Sequence, residues 1–245
     1  MEAIMRKTAT LFEKDLKDVV KNPTMLVCCL LPLGFIVFFS KVMGGNVEGA
    51  EAQHAFDAMM LSYALLFTST MVSSMATITA IAEEKEKHTL RTLMLANVGA
   101  EQILLSRGLV ALIAIAVVDA ACYLVLGQPL AGLPAFLAIG VVGSIPIVLL
   151  SLLLGLASRD QMSAGLLSVP VLLVGIAPMY SQFIDGFSNI APYLPTGGMD
   201  KLGTLLADGA LFTPEAVLPA VGMLVWIVVA AVAFAIIYKR LSRDN

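Results

Sequence analysis

The chain has 245 residues, of which 59% are apolar and only 13% charged, and its mean hydropathy is +0.91. A soluble domain carries roughly twice that charged fraction, about 25%. The composition therefore excludes an ordinary soluble globular protein and predicts an all-α integral membrane protein. The net charge of −3 gives no indication of a nucleic-acid partner, and none is expected.

The first twenty residues predict an amphipathic helix over residues 2–21. On a helical wheel at about 100° per residue, apolar side chains fill one half and mostly basic side chains fill the other. Such a helix lies in the membrane interface rather than across the membrane. Asp15 is the one charged residue on the apolar half. The dipeptide Asn22-Pro23 ends the helix and lets the chain turn into the bilayer.

Six apolar segments follow within a single transmembrane domain that covers residues 1–245. Each is about twenty residues long, the length needed to cross about 30 Å of hydrocarbon. The predicted spans are residues 25–43, 59–82, 103–126, 133–157, 164–184 and 216–238. The longest connection, residues 185–215, is too apolar for a free linker and is expected to dip back or lie at the surface.

The distribution of Lys and Arg predicts the orientation, because short cytoplasmic loops retain these residues. With six spans, both termini and the second and fourth loops share one side of the membrane. The opposite side holds Lys41 and Lys201, and the first side holds the other thirteen of the fifteen basic residues. We therefore expect both termini to be cytoplasmic, together with the charged run that begins at Glu83.

That charged run is the connection between the second and third spans. Residues 83–87 are predicted to extend the second span into water, and Thr89 is a suitable N-cap for a short helix. Leu90, Leu93 and Met94 then fall at i, i+3 and i+4 and form one apolar stripe. The stripe suits docking in the cleft of a partner protein. Packing on the membrane surface or on the N-terminal helix explains the pattern equally well.

Few residues point to catalysis. The two histidines, His54 and His88, lie in predicted loops, and no phosphate-binding loop, nucleophile elbow or metal-binding spacing occurs in the sequence. The chain is therefore not expected to be an enzyme. Asp119 lies deep in the third span, where an unpaired charge is costly. It is either a substrate or proton site or a carboxyl group that bonds to a neighbouring helix.

The second span also contains an unusual number of small polar residues. Such residues allow close helix packing and interhelical hydrogen bonds. They are equally able to line a polar path, and the pattern alone does not decide between the two. The residues are Thr68, Ser69, Thr70, Ser73, Ser74, Thr77 and Thr79.

Two patterns resemble those of ABC-2-type transporter permeases. The first, Glu83-x3-Lys87-x-Thr89-Leu90-x2-Leu93-Met94 followed by Ile103-Leu104-Leu105-Ser106-Arg107, is similar to the loop that forms the coupling helix of that family. The second runs from Lys14 to Pro23 and continues into the apolar segment with Leu31-Pro32-Leu33, similar to the family's connecting helix and first span. His88 and Val98 depart from the family's usual Gly and Pro, which leaves the placement of the coupling helix open.

The resemblance implies a type V-like fold with a coupling helix between spans two and three and short re-entrant helices within residues 185–215. It implies the permease subunit of an exporter in a bacterial cytoplasmic membrane. A second permease subunit and two copies of an ATPase subunit are then the partners, and ATP and magnesium bind to the ATPase rather than to this chain. The cargo expected is amphipathic, such as a peptide, an antibiotic or a lipid.

The resemblance also assigns roles to particular residues. ATPase docking is expected from Glu83, Glu84, Glu86, Thr89, Leu90, Leu93 and Met94, and Asp119 is a possible intramembrane polar site. Two alternatives belong to other functional classes. One is a six-span accessory protein without transport, and the other is a membrane-embedded enzyme that modifies lipids.

Overall fold

A computed structural model describes residues 2–87, 89 and 99–241 of the chain. Within these residues the protein is all-helical and contains no strand, which confirms that it is all-α and is compatible with the predicted membrane protein. The helices are α1 (Glu2–Lys21), α2 (Pro23–Val42), α3 (Ala50–Glu86), α4 (Ala100–Val125), α5 (Leu133–Ala157), α6 (Gln161–Gly175), α7 (Gly197–Ala207) and α8 (Val217–Leu241). Short 3-10 helices occupy Gly44–Asn46, Leu130–Gly132, Ala177–Gln182, Phe187–Asn189, Ala191–Tyr193 and Pro214–Ala216.

In the described part of the chain, five helices are long and apolar enough to cross a membrane. They are α2, α3, α4, α5 and α8, and they overlap five of the six predicted spans.

The remaining predicted span, residues 164–184, has a different form. There α6 has 15 residues, which corresponds to about 22 Å at 1.5 Å per residue and is shorter than the hydrocarbon thickness of about 30 Å. The 3-10 helix Ala177–Gln182 continues the segment. Pro178 lies at the start of that 3-10 helix, where it has no N–H to extend the α-helical ladder.

Helix α3 is the centre of the bundle. Its 37 residues correspond to about 55 Å, so it is nearly twice as long as the hydrocarbon is thick. A single π-helical segment, Val72–Thr77, interrupts its α-helical hydrogen bonding. Most of its side chains between Met60 and Ala82 are buried against the surrounding helices.

Glycines of the neighbouring helices allow this close packing. A Cβ atom at Gly175 of α6 would lie 2.5 Å from Thr70, and one at Gly155 of α5 would lie 3.0 Å from Ile81. Small residues at such contacts let helix backbones approach closely in a membrane, where packing rather than hydrophobic burial drives association.

Three hydroxyl groups of α3 donate hydrogen bonds to backbone carbonyls of the same helix. The Thr70 hydroxyl donates to the Leu66 carbonyl, the Ser74 hydroxyl donates to the Thr70 carbonyl at 2.6 Å, and the Thr79 hydroxyl donates to the Met75 carbonyl. The close glycine contacts support the helix-packing interpretation of this polar stretch, whereas the Thr68, Ser69 and Ser73 hydroxyls have no hydrogen-bond partner among the described residues.

The connection between the fifth and sixth predicted spans folds onto the bundle. Its helix α7 buries Met199, Leu202 and Leu205 in the same apolar cluster as Leu61 and Leu65 of α3. The connection is therefore part of the core of the bundle in the structure, and its depth in the membrane stays a prediction.

Candidate functional site

The end of α3 carries four consecutive charged residues, Glu83 to Glu86, each of which contacts a different part of the protein. We call residues 83–87 the charged stem. The stem is a regular continuation of α3, because it contains only good helix formers. The helix ends at Lys87, whose N–H donates to the Glu83 carbonyl at 2.9 Å.

Glu83 holds the corner between α1 and α2. Its carboxylate accepts a hydrogen bond from the Asn22 side-chain amide at 2.9 Å and forms an ion pair with Lys87. The Asn22 side-chain oxygen accepts from the Thr24 N–H at 3.0 Å, so the same residue is the N-cap of α2. One side chain of the stem thus contacts the residue at which the chain turns from the interfacial helix into the first span.

Glu84 lies in a buried ionic cluster with α1 and α4. The Arg107 guanidinium contacts both the Glu84 carboxylate and, at 3.3 Å, the Asp15 carboxylate. The Ser106 hydroxyl donates to Asp15 at 2.6 Å, and Lys14 lies 3.6 Å from Glu84. Asp15 is 0% exposed and Arg107 is 6% exposed.

Burial disfavours the charged groups of this ionic cluster. Burial raises the pKa of Asp15 above its ordinary value, although the Arg107 charge and the Ser106 hydrogen bond both act to lower the pKa. The Arg107 Nε atom and the Glu84 Oε2 atom have no hydrogen-bond partner among the described residues. The cluster is therefore held by few bonds, and each of them matters because the groups are out of water.

Lys85 caps the end of α5. Its ammonium group donates to the carbonyls of Leu156 and Ser158, both at 2.6 Å. The last carbonyls of a helix have no partner within the helix, and they form the negative end of its dipole. The Lys85 ammonium group gives these carbonyls a hydrogen-bond donor and places a positive charge at the negative end of the dipole.

Glu86 contacts the start of α6. Its carboxylate accepts from the Gln161 N–H at 3.2 Å, beside the N-cap Asp160, which itself accepts from the Ser163 N–H at 2.7 Å. The hydrogen bonds from Ser163 lower the pKa of Asp160 below its ordinary value. Two carboxylates thus lie at the positive end of the α6 dipole.

The predicted site residues are distributed as follows. Glu83, Glu84 and Glu86 lie together on the charged stem. Thr89 lies with Asn22, Glu83 and Arg107 around a cleft at the end of α3, which we call the inner cleft. The predicted apolar stripe of Leu90, Leu93 and Met94 lies outside the described residues, as do the two positions that depart from the family pattern, His88 and Val98.

Asp119 lies apart from the charged stem, in the middle of the bundle. It is a residue of α4 and is fully buried against α3 and α5. Its carboxylate lies beside Gly140 of α5 and near Thr68 of α3. Neither carboxylate oxygen has a hydrogen-bond partner in the part of the chain that is described. The α5 backbone approaches the carboxylate closely, since a Cβ at Gly140 would overlap it.

Sequence reasoning missed the partners of the charged stem, which are Asn22, Arg107, Gln161 and the carbonyls at the end of α5, and it missed Asp15, which contacts Arg107. Asp15 carried a signal, because it was the only charge on the apolar half of α1. The charge of Arg107 was a second signal, since it lies at the start of an apolar span. Neither signal identified the other residue, because the two are 92 positions apart in the sequence.

Metal chemistry has little support in this region. Among residues 2–87, 89 and 99–241, no three His, Cys, Asp or Glu side chains come together in a way that could hold a metal ion.

No family model matches the chain, and no curated protein matches it.

Proposed function

We propose that the chain is the membrane subunit of an ATP-binding-cassette transporter of the ABC-2 type, and that it exports its cargo. The observation that carries this proposal is the attachment of the charged stem. Four consecutive side chains join the end of α3 to the α1–α2 corner, to α4, to α5 and to α6. A force on the loop that follows the stem would act on all of these helices together.

In this proposal the loop is the point at which the ATPase acts. Leu90, Leu93 and Met94 dock in a cleft of the ATPase, as helix-in-groove recognition requires. ATP and magnesium bind to that partner, and this chain supplies no catalytic residue. Closure of two ATPase subunits moves the stem, and the stem moves α3 and α4.

The membrane layout in this proposal has six spans with both termini in the cytoplasm. Helix α6 and the 3-10 helix Ala177–Gln182 together form the fifth span, and the segment around α7 forms the re-entrant part on the outer side. Two such subunits, identical or homologous, pair around a central path in a bacterial cytoplasmic membrane.

The cargo in this proposal is amphipathic, such as a peptide, an antibiotic or a lipid. Six of the seven Ser and Thr side chains between residues 68 and 79 of α3 are buried in the bundle, and the Thr70 and Ser74 hydroxyls bond to carbonyls of the same helix. The outward faces of α2 that remain are apolar, with Leu30 and Phe38 both more than half exposed. Such faces suit a cargo with an apolar part better than they suit a bare ion.

The test uses the chain co-expressed with a candidate ATPase subunit. We expect wild type to copurify with the ATPase and to stimulate its activity, and Leu93→Asp to lose both properties. The matched control is Leu130→Asp, which places the same charge in an exposed position of the α4–α5 hairpin and should change neither. If Leu93→Asp retains both properties, the docking hypothesis is wrong.

A second variant tests the transmission step. Lys85→Met removes the contact between the charged stem and the end of α5. We expect this variant to bind the ATPase but to lose most of the cargo-stimulated ATP hydrolysis. If the wild-type complex binds the ATPase yet moves no amphipathic cargo in reconstituted vesicles, the accessory-protein alternative is favoured instead.

A further inference from the structure

A long apolar groove lies on the outside of the bundle, between the first half of α4, the second half of α5 and the last turns of α8. Its volume is about 800 Å³. Leu104, Val148 and Leu152 form its buried floor, and the half-exposed side chains of Leu105 and Leu109 form one wall. The charged stem and the inner cleft use none of these residues.

The length of the groove matches one leaflet of a bilayer. On α4 it runs from Glu101 to Leu112, which is twelve residues, or eleven steps of 1.5 Å and about 16 Å in all. Half of the hydrocarbon thickness of about 30 Å is about 15 Å. The groove therefore reaches from one surface of the membrane to about its middle.

One end of the groove is charged and amphipathic, and the rest is apolar. Glu101, Tyr238 and Lys239 line this end, and Glu101 lies near the Tyr238 phenol. Tyrosine is typical of the boundary between hydrocarbon and headgroups. The end lies where α4 begins and α8 finishes, which is the cytoplasmic side according to the distribution of Lys and Arg.

We propose that this groove binds one phospholipid of the cytoplasmic leaflet, and that the lipid has a phosphoethanolamine headgroup. An acyl chain lies along Leu105 and Leu109, and the ammonium group donates to the Glu101 carboxylate. A carboxylate at the end of an apolar groove matches a headgroup whose cation carries N–H donors. Phosphatidylglycerol has no cation for Glu101, and the choline ammonium has no N–H to donate.

This inference depends on the chain being embedded in a membrane and is independent of the proposed ATPase partner. It is therefore tested on the full chain alone, purified in detergent. Failure of the ATPase experiment would leave the result unchanged, and failure here would leave the transporter proposal unchanged.

The measurement is native mass spectrometry after addition of equal amounts of phosphatidylethanolamine, phosphatidylglycerol and phosphatidylcholine. We expect one phosphatidylethanolamine to be retained per chain, with about tenfold preference over the other two, as the loss of a charge-assisted hydrogen bond implies. Equal retention of the three lipids would overturn the proposal.

Two variants separate the headgroup from the acyl chain. Glu101→Gln should remove the preference for phosphatidylethanolamine. Leu109→Trp should fill the groove and lower the retention of all three lipids, whereas Val117→Trp, at an exposed position of the same helix outside the groove, should leave retention unchanged.

The same variants distinguish a lipid from a second copy of the chain. If Leu109→Trp converts a dimer to a monomer and leaves lipid retention unchanged, the groove is a subunit interface and the lipid proposal is wrong. A thermal melt of each variant checks that it is folded. Glu101→Gln, a substitution at an exposed position, decides the matter if Leu109→Trp fails to fold.

Discussion

Helices α3 and α8 are both long enough to cross a bilayer, but they occupy opposite positions in the bundle. In the apolar stretch of α3, 83% of the residues are buried within the chain, whereas in that of α8 the share is 6%. The buried helix is the less apolar of the two, with seven Ser and Thr residues between positions 68 and 79. The outer helix presents Val228, Val232 and Ile236 to the outside.

The difference in burial between α3 and α8 follows from the apolar surroundings of a membrane helix bundle. Lipid tails are as apolar as Leu, so a helix gains little by moving an apolar face from lipid into protein. Close packing, hydrogen bonds and paired charges decide which helix lies in the middle. Helix α3 has all three, since glycines of α5, α6 and α7 contact it and the charged stem continues it.

The largest expected effect concerns the ionic cluster at the end of α3. Arg107→Leu leaves the Asp15 and Glu84 carboxylates buried without their guanidinium. Loss of one partner of a buried ion pair costs about 3–5 kcal/mol, and we expect a decrease of that size in the free energy of unfolding in detergent. Val228→Ala in α8 should change the free energy by less than about 0.5 kcal/mol. If the two variants lowered the free energy of unfolding equally, the contrast between the central helix α3 and the outer helix α8 would be wrong.

The next effect concerns glycine packing against α3. At Gly175 an added Cβ would lie 2.5 Å from Thr70, whereas at Gly165 of the same helix nothing lies within 4 Å. Gly175→Ala should therefore destabilise the protein by about 1–3 kcal/mol through overpacking. Gly165→Ala should stabilise it by about 0.5–1 kcal/mol, because Ala is the better helix former.

A double variant supplies the control for this pair. Thr70→Ala removes the two atoms closest to an added Cβ at Gly175, the Thr70 methyl carbon and hydroxyl oxygen, so the combination should recover part of the loss. If Gly175→Ala and Gly165→Ala shift the thermal midpoint in the same direction, the close contact between α6 and α3 is wrong.

The smallest effect is a pH dependence. Because the pKa of Asp15 in the folded protein is raised above its ordinary value of 3.8, its protonated form favours folding. This contribution is present below about pH 3.8 and is lost as the pH rises through the folded pKa. Arg107, Lys14 and Glu84 are the charged groups around it.

The measurement is the thermal midpoint of wild type and of Asp15→Asn from about pH 4 to pH 8. Asparagine does not titrate, so the midpoint of wild type relative to the variant should fall as the pH rises. A difference that is constant, or that increases with pH, would show that burial does not raise the pKa of the Asp15 carboxyl.

Local features of the fold were predictable from the sequence, and contacts between distant residues were not. The helical wheel predicted α1 over residues 2–21, and its observed bounds are Glu2–Lys21. Apolar length predicted α5 over residues 133–157, and its bounds are Leu133–Ala157. The fifth predicted span was not found as one helix, since apolar length does not register how Gly175 and Pro178 end a helix.

The candidate site shows the same division. The acidic residues of the charged stem stood out because charge is rare in this chain, and their helical conformation followed from their propensity. Their partners did not stand out, since the bond from Asn22 to Glu83 joins residues 61 positions apart. Tertiary packing decides such pairs, and one sequence contains no signal that links them.

The π-helical segment Val72–Thr77 sets the direction in which the charged stem points. A π turn accommodates one residue more than an α turn does, and one residue corresponds to about 100° of rotation on the wheel. Without the extra residue, the Glu84 side chain would point about 100° away from its direction toward Arg107. The ionic cluster therefore depends on one extra residue about two turns earlier in the helix, which sets the rotation of the charged stem relative to the apolar part of α3.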